Sequence, residues 1–378
     1  MGGLFEKTNI KSLELKNRLV RSATHEGMSN VDGSPSPALF KLYKRLAKGG
    51  VGLLITGYAY VSSDGISPFY RMQAIDRDEF IGKYRELVNL VHANGAKIAM
   101  QIAHCGRQTS DYIIGTQPIA PSAVLDTNTK VMPREMTEED IERVIEDFVQ
   151  VARRVKEAGF DAVQIHCAHG YLLSSFINPH TNRRTDQWGG NTENRVRIVG
   201  EVYKRCRARV GDDYPMLVKY SSWDKIENGL SPEEGVMVGQ MLAKMGFDGI
   251  EVSAGLFEDG GSTLFGNAPP GTRPPQAYNR QVAQALKSKV DVPVLLVGGI
   301  TDPTVMEEIV ESGDADYISM CRALISEPAL PRRMQEGKLE PARCIQCNLC
   351  SDYCPTRPLH CYHGKTLKDE PPSKIRNK

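Results

Sequence analysis

Eight short β-branched runs alternate with eight longer amphipathic stretches along this chain, and three of those stretches end on the same device. In EAGFDAV (157–163), KMGFDGI (244–250) and ESGDADY (311–317), a glycine stands where a helix must stop, and an apolar run begins within a few residues. Glycine takes the left-handed backbone of a helix end without a Cβ penalty. Strands are predicted over 18–23, 51–57, 97–103, 162–167, 216–221, 249–254, 292–299 and 315–321. The helices between them are predicted over 37–48, 78–94, 137–158, 192–209, 232–245, 276–288, 303–312 and 328–336. Thr137 ahead of Glu138-Glu139-Asp140, Ser231 ahead of Pro232, and Thr301-Asp302 ahead of Pro303 are helix start signals. The alternation predicts a (β/α)8 TIM barrel. A doubly wound open sheet is the alternative. It is weakened because no G-x-G-x-x-G follows a first strand: Gly50-Val51-Gly52 precedes a strand and lacks the third glycine.

A length of 378 residues accommodates one large barrel or two average domains. The pattern divides it into a barrel over 1–340, a short cysteine-rich extension over 341–363, and a polar, proline-containing tail over 364–378 expected to be disordered. Lys plus Arg number 47 against 46 Asp plus Glu, which argues against a nucleic-acid binder. The N-terminus MGGLFEKTNI lacks the basic and apolar regions of a signal peptide, and Glu6 stands where a myristoylation site needs Ser or Thr. No apolar run approaches the ~18 residues of a membrane span. The expected compartment is a reducing cytoplasm, where disulfides rarely persist.

In such a barrel, chemistry gathers where the strands end. The strand ends here carry Thr24-His25, Gln101, His166 with His169 and Tyr171, Lys219, Gly298-Gly299, and Cys321-Arg322. Either histidine alone is compatible with a core role, and a catalytic zinc site would want a third ligand. Together, two imidazole N–H groups suit a carbonyl or enolate oxygen, and Tyr171 is a weak acid able to protonate a basic carbon. Gly298, Gly299 and Arg322 suit a phosphate. Gln101 and Lys219 suit the polar edge of an isoalloxazine, with positive charge where a reduced flavin is negative.

These residues sit in longer stretches, LFEKTNIKSLELKNRLVRSATHEG, VGLLITGYAYVSSDG, QIAHCGRQ and IHCAHGYLLSSFINPHTNRRTDQWGGNTENR. Through them the chain, from about Leu4 to Cys361, resembles the Old Yellow Enzyme family of FMN-dependent oxidoreductases. It is most similar to the iron–sulfur branch that includes 2,4-dienoyl-CoA reductase and trimethylamine dehydrogenase. The resemblance implies that Ala23 and Thr24 lie along the flavin, that His25 tunes it, and that Gly57 and Tyr58 lie beside the ring. It implies that His166 and His169 hold the electron-withdrawing group of the substrate and that Tyr171 donates the proton. Three departures stand out. Lys219 replaces the arginine of better-known members, Cys321 replaces a small residue, and the chain stops soon after Cys361, where relatives of that branch continue into nucleotide-binding domains.

Five of the nine cysteines fall in CIQCNLCSDYCPTRPLHC (344–361). The x2-x2 spacing of Cys344, Cys347 and Cys350 suits three corners of a 4Fe–4S cluster better than structural zinc, which uses two separate knuckles. Cys354-Pro355 has ferredoxin spacing, but its usual second cluster has no cysteine set here. Cys361, at the gap of the resembled branch, is the expected fourth ligand, with Cys354 in reserve. The functional expectation is an FMN-dependent ene-reductase acting on a small activated alkene. NAD(P)H, or a ferredoxin-like or flavoprotein partner working through the cluster, would be the electron donor. The alternatives are an amine dehydrogenase with Tyr58, Tyr60, Phe69 and Trp223 as an aromatic bowl, an electron-transfer subunit, and a flavin-free aldolase barrel. Homo-oligomer formation is left open.

Overall fold

The computed structural model describes residues 3–260, 266 and 275–364. Apart from Gly364, the tail expected to be disordered falls outside them. Eight parallel strands close on themselves: β1 (Leu19–Arg21), β2 (Leu53–Ile55), β3 (Lys97–Ala103), β4 (Ala162–Cys167), β5 (Met216–Ser221), β6 (Gly249–Ser253), β7 (Val294–Val297) and β8 (Tyr317–Met320). Each pairs with its sequence neighbour, and β8 returns to β1, so the barrel has no open edge. Around it lie α1 (Pro37–Lys48), α2 (Phe80–His92), α3 (Glu138–Glu157), α4 (Thr192–Val210), α5 (Pro232–Met245), α6 (Arg280–Lys287), α7 (Pro303–Glu311) and α8 (Leu330–Gln335).

The start and stop signals work as the sequence predicts. Thr137 and Asp140 form a reciprocal capping box on α3, Ser231 caps α5, and Asp302 caps α7. Gly159, Gly246 and Gly313 all take positive φ. Several elements are shorter than predicted, and in two of them the end is set by groups tied elsewhere. β2 stops at Ile55, and the Gly57 N–H is held by the Glu26 carboxylate, not by a neighbouring strand. α6 starts only at Arg280 because the preceding residues are tied to the loop after β7: Tyr278 N–H donates to Gly298 O, and the Gln276 side chain holds Thr301.

Alternation along each strand sorts the barrel into an outer and an inner core. Val163, Ile165 and Cys167 of β4 face the helices, while Ala162, Gln164 and His166 face the interior. The interior is apolar at the N-terminal ends of the strands, where Val20, Leu53, Ala99, Ala162, Leu217 and Leu295 pack together. Ile10 and Leu13 from an N-terminal hairpin (Thr8–Ile10 with Leu13–Leu15) close that end. Towards the C-terminal ends the inward residues turn polar: Ser22, Gln101, Gln164, Lys219, Glu251 and Ser319, all buried. This change of chemistry with height sets the position of the site. Among the described residues no helix is long and apolar enough to cross a membrane.

Candidate active site

A cleft enclosing about 1230 Å³, its open mouth included, lies over the C-terminal ends of the strands. Ala23, Thr24, His25, Tyr58, Gln101, His166, His169, Tyr171, Lys219, Gly298, Gly299, Cys321 and Arg322 all line it. Thirteen separate sequence expectations therefore converge on one site. Gly57 does not line it. Its backbone backs the wall instead, and a Cβ there would lie 1.9 Å from Glu26 Oε2. Of the aromatic residues proposed for a bowl, Tyr58 and Phe69 reach the cleft and Tyr60 and Trp223 do not. Phe257, which the sequence did not suggest, stands 6.0 Å from Phe69, ring to ring.

At the floor, Gln101 Nε2 donates to Gln164 Oε1 (2.7 Å) and Gln164 Nε2 to Glu251 Oε2 (2.9 Å). Lys219 Nζ lies 3.8 Å from that carboxylate and donates to Ser22 Oγ (3.0 Å). Sequence reading missed Gln164 and Glu251. A signal was present: each is a polar residue at an inward position of a mostly apolar strand. Strand register sets them beside Gln101 and Lys219 respectively.

Higher up, the His166 and His169 rings meet edge to face at 5.2 Å, and His166 and Tyr171 at 5.0 Å. His166 Nδ1 accepts the Ala168 N–H (3.1 Å), so the proton of the neutral ring is on Nε2. His169 is fixed differently. Its backbone is left-handed (φ +66°), its N–H donates to Ser221 Oγ, and its Nε2 is 2.8 Å from Ser253 Oγ. Burial holds both imidazoles well below their usual pKa. The Lys219 ammonium adds to this for His166, and His166 and then Lys219 add to it for His169. Burial also pushes the Tyr171 phenol well above its usual value, so it stays a proton carrier. Its OH donates to Tyr58 OH (3.0 Å), which lies 3.3 Å from Ser67 Oγ.

Keeping two histidines neutral has a consequence for stability. In the unfolded chain both return to a pKa near 6.5. Below that pH the unfolded chain takes up protons that the folded chain refuses. Stability is therefore full above about pH 6.5 and is lost as pH falls from there towards the folded values. Urea unfolding between about pH 8 and pH 5 is expected to show this loss. The loss should shrink when both His166 and His169 are replaced by Asn; an equal slope would mean that the folded rings take up protons over the same pH range as in the unfolded chain.

The donor set fits FMN. Lys219 and Gln101 offer buried charge and amide, and Arg322 keeps donors beyond the one that its Nη1 gives to Asn348 Oδ1 (2.6 Å). Gly298 and Gly299 take positive φ, and a Cβ on either would lie 2.9 Å from the Tyr278 ring. Ser319 Oγ and Gln346 Oε1, both buried in the cleft wall, have no hydrogen-bond partner among the described residues.

The cysteine-rich segment is packed onto this cleft. Gln346 Nε2 donates to Gly299 O, Cys354 Sγ donates to His25 O (3.4 Å), and Leu359 N–H donates to Glu26 O (2.7 Å). Cys350 and Cys354 line the cleft, whereas Cys344, Cys347 and Cys361 do not. None of the nine cysteines forms a disulfide. Among the described residues, no three His, Cys, Asp or Glu side chains gather closely enough to hold a metal. The segment thus has the donor chemistry of a cluster site without a converged ligand geometry.

Residues 3–340 match the NADH:flavin oxidoreductase / NADH oxidase family. An NADH oxidase of Thermoanaerobacter brockii is 38% identical over 348 residues, covering 92% of this chain and 53% of that protein. The multifunctional alkene reductase/demethylase OYE of Caballeronia cordobensis is 33% identical over 371 residues, covering 97% and 53%. This chain therefore spans about half the length of these relatives. A solved 2-naphthoyl-CoA reductase, in complex with 2-naphthoyl-CoA, superposes with a TM-score of 0.87 at 26% identity, over 99% of this chain and 58% of the other.

Proposed function

The chain belongs to the NADH:flavin oxidoreductase / NADH oxidase family, and from that premise we propose that it reduces the carbon–carbon double bond of an α,β-unsaturated carbonyl or thioester at an FMN that NAD(P)H re-reduces. The observation that carries this reading is the grouping of two neutral imidazoles and a protonated phenol on one cleft wall. When bound and reduced, FMN supplies hydride. Ala23, Thr24, His25, Tyr58, Gln101, Lys219, Gly298, Gly299, Cys321 and Arg322 would hold it, with Gly57 supporting from behind.

His166, with Nε2–H free, and His169 bind the substrate oxygen and stabilise the negative charge that builds on it. Ser253 can donate to His169 Nε2, which leaves Nδ1–H for the substrate. Tyr171 protonates the α-carbon. Its raised pKa restricts it to strongly basic acceptors, and Tyr58 and Ser67 are placed to return the proton.

An amine substrate is disfavoured. Tyr58, Phe69 and Phe257 offer aromatic faces, but among the described residues no Asp or Glu lines the cleft, Glu251 beneath its floor is engaged by Gln164 and faces Lys219, and Lys219 would repel an ammonium. The decisive experiment is anaerobic stopped-flow spectroscopy. NADH or NADPH is expected to bleach the flavin, and an enone or enoyl thioester to restore its colour. Bleaching by an amine without reoxidation by any alkene would overturn the proposal. Colour lost only with a reduced ferredoxin-type donor would assign the reducing role to a partner protein.

The same reading gives Cys344, Cys347, Cys350 and Cys361 to a 4Fe–4S cluster. Cys354 Sγ is turned to the His25 carbonyl, which leaves Cys361 as the expected fourth ligand. Anaerobically purified protein is expected to hold about four irons and four sulfides per chain. Cys361→Ser should lose them and Cys354→Ser should keep them; the reverse result would exchange the two ligands.

A further inference from the structure

Gln346 stands between Cys344 and Cys347 in a left-handed backbone, φ +58°. Glycine adopts that conformation freely, and other residues only at a cost. The side chain nevertheless turns inward and is only 4% exposed. Its Nε2 donates to Gly299 O at 3.2 Å, across the loop that follows β7. Only the NH₂ end of an amide can meet a carbonyl in this way, so the amide cannot be flipped. Oε1 is thereby left buried in the cleft wall and accepts a hydrogen bond from no described residue. A buried acceptor without a donor is destabilising and rare. Here it coincides with an unfavourable backbone conformation, and both are explained if the side chain serves a ligand.

The chemistry of the surroundings narrows what that ligand group is. Gly298, Gly299 and Arg322 line the same wall, where backbone N–H groups and a guanidinium suit an anion. An amide oxygen repels a phosphate and needs a hydroxyl or N–H donor. In a flavin nucleotide the chain that joins the ring to the phosphate carries hydroxyls. We propose that Gln346 is a cofactor-binding residue whose Oε1 accepts a hydrogen bond from a ribityl hydroxyl of FMN. This rests on the FMN reading above. It makes the cysteine-rich segment part of the flavin site, with Gln346 in the cleft wall and Asn348 holding Arg322, each from between successive cysteines.

The test uses the full chain, freed of flavin and titrated with FMN, riboflavin or lumiflavin, with binding read from quenching of flavin fluorescence. Gln346→Leu is expected to weaken FMN and riboflavin by the same factor, about tenfold, a change typical of one lost hydrogen bond. Lumiflavin, which lacks the hydroxyls, should bind as before. Gln346→Gly should show the same loss with apo-protein thermal stability at or above wild type, because the left-handed backbone is relieved while the acceptor is gone. Unchanged FMN affinity in both variants would overturn the proposal. So would a loss confined to FMN, which would mark a phosphate contact, or an equal loss on lumiflavin, which would mark a collapsed wall. A wild-type chain that takes up none of the three flavins would instead overturn the cofactor reading itself.

Discussion

Replacing Tyr171 by Phe is expected to lower alkene turnover by roughly 10²–10⁴-fold, the usual worth of a positioned general acid, while NAD(P)H reduces the flavin at its wild-type rate. The substitution removes one hydroxyl and keeps the ring, which is 3% exposed and packs against His166 and Tyr58. The cleft wall should therefore survive. The half-reactions separate the roles: no substrate carbon is protonated when a nicotinamide reduces the flavin, so only the oxidative half should slow. A solvent isotope effect on that half should also change, because the proton then comes from water. Undiminished alkene turnover would mean that another group protonates the product. Tyr58 is the first to examine, since it already shares a hydrogen bond with Tyr171.

The largest loss of stability is expected from Glu26→Ala. Glu26 Oε1 is 2.8 Å from Arg21 Nη2 and takes hydrogen bonds from Tyr43 OH (2.5 Å) and Gly57 N–H (2.8 Å), and Oε2 takes one from Gln73 Nε2 (3.0 Å). The Arg21 and Glu26 side chains are 3% and 2% exposed. Removing the carboxylate leaves a guanidinium buried without a counter-charge and takes an acceptor from three donors, of which Gly57 N–H keeps Tyr43 OH and Gln73 Nε2 keeps Gly57 O. Breaking a buried pair in this way costs about 3–5 kcal/mol. Urea midpoints of the two proteins, compared at equal slope, measure it. Glu26→Gln, which keeps an acceptor and loses the charge, should fall between them. A loss below about 1 kcal/mol, the range of an exposed ion pair, would show that Arg21 finds other partners when the wall loosens.

Much of this protein was legible in the sequence, and the legible part has a common cause. A strand alternates with period two, and a helix announces its start and stop chemically. β3, β4, β5, α1 and α5 begin and end where the sequence placed them. A closed parallel barrel then brings every strand's C-terminal end to one rim whatever the distance along the chain. Residues as far apart as Ala23 and Arg322 could therefore be assigned to one cleft without any knowledge of their contacts.

Side chains whose meaning depends on a distant partner were not legible in this way. His104 and Arg107, quoted beside Gln101, turn away from the cleft, to Asp64 and to Glu258. Gly57 read as a flavin contact, but its space is fixed by a carboxylate 31 residues earlier. Glu251 read as part of an apolar strand until register set it beside Lys219.

By itself, the sequence determined the order of elements, the inward face of each strand and the identity of the rim. Those follow from local periodicity and from the geometry of closure. Only the tertiary structure decided that the cysteine-rich segment folds back to form part of the cleft wall. A loop with no period carries no instruction about what it touches, and the hydrogen bonds that hold it join Gln346 to Gly299 and Cys354 to His25 across 47 and 329 residues.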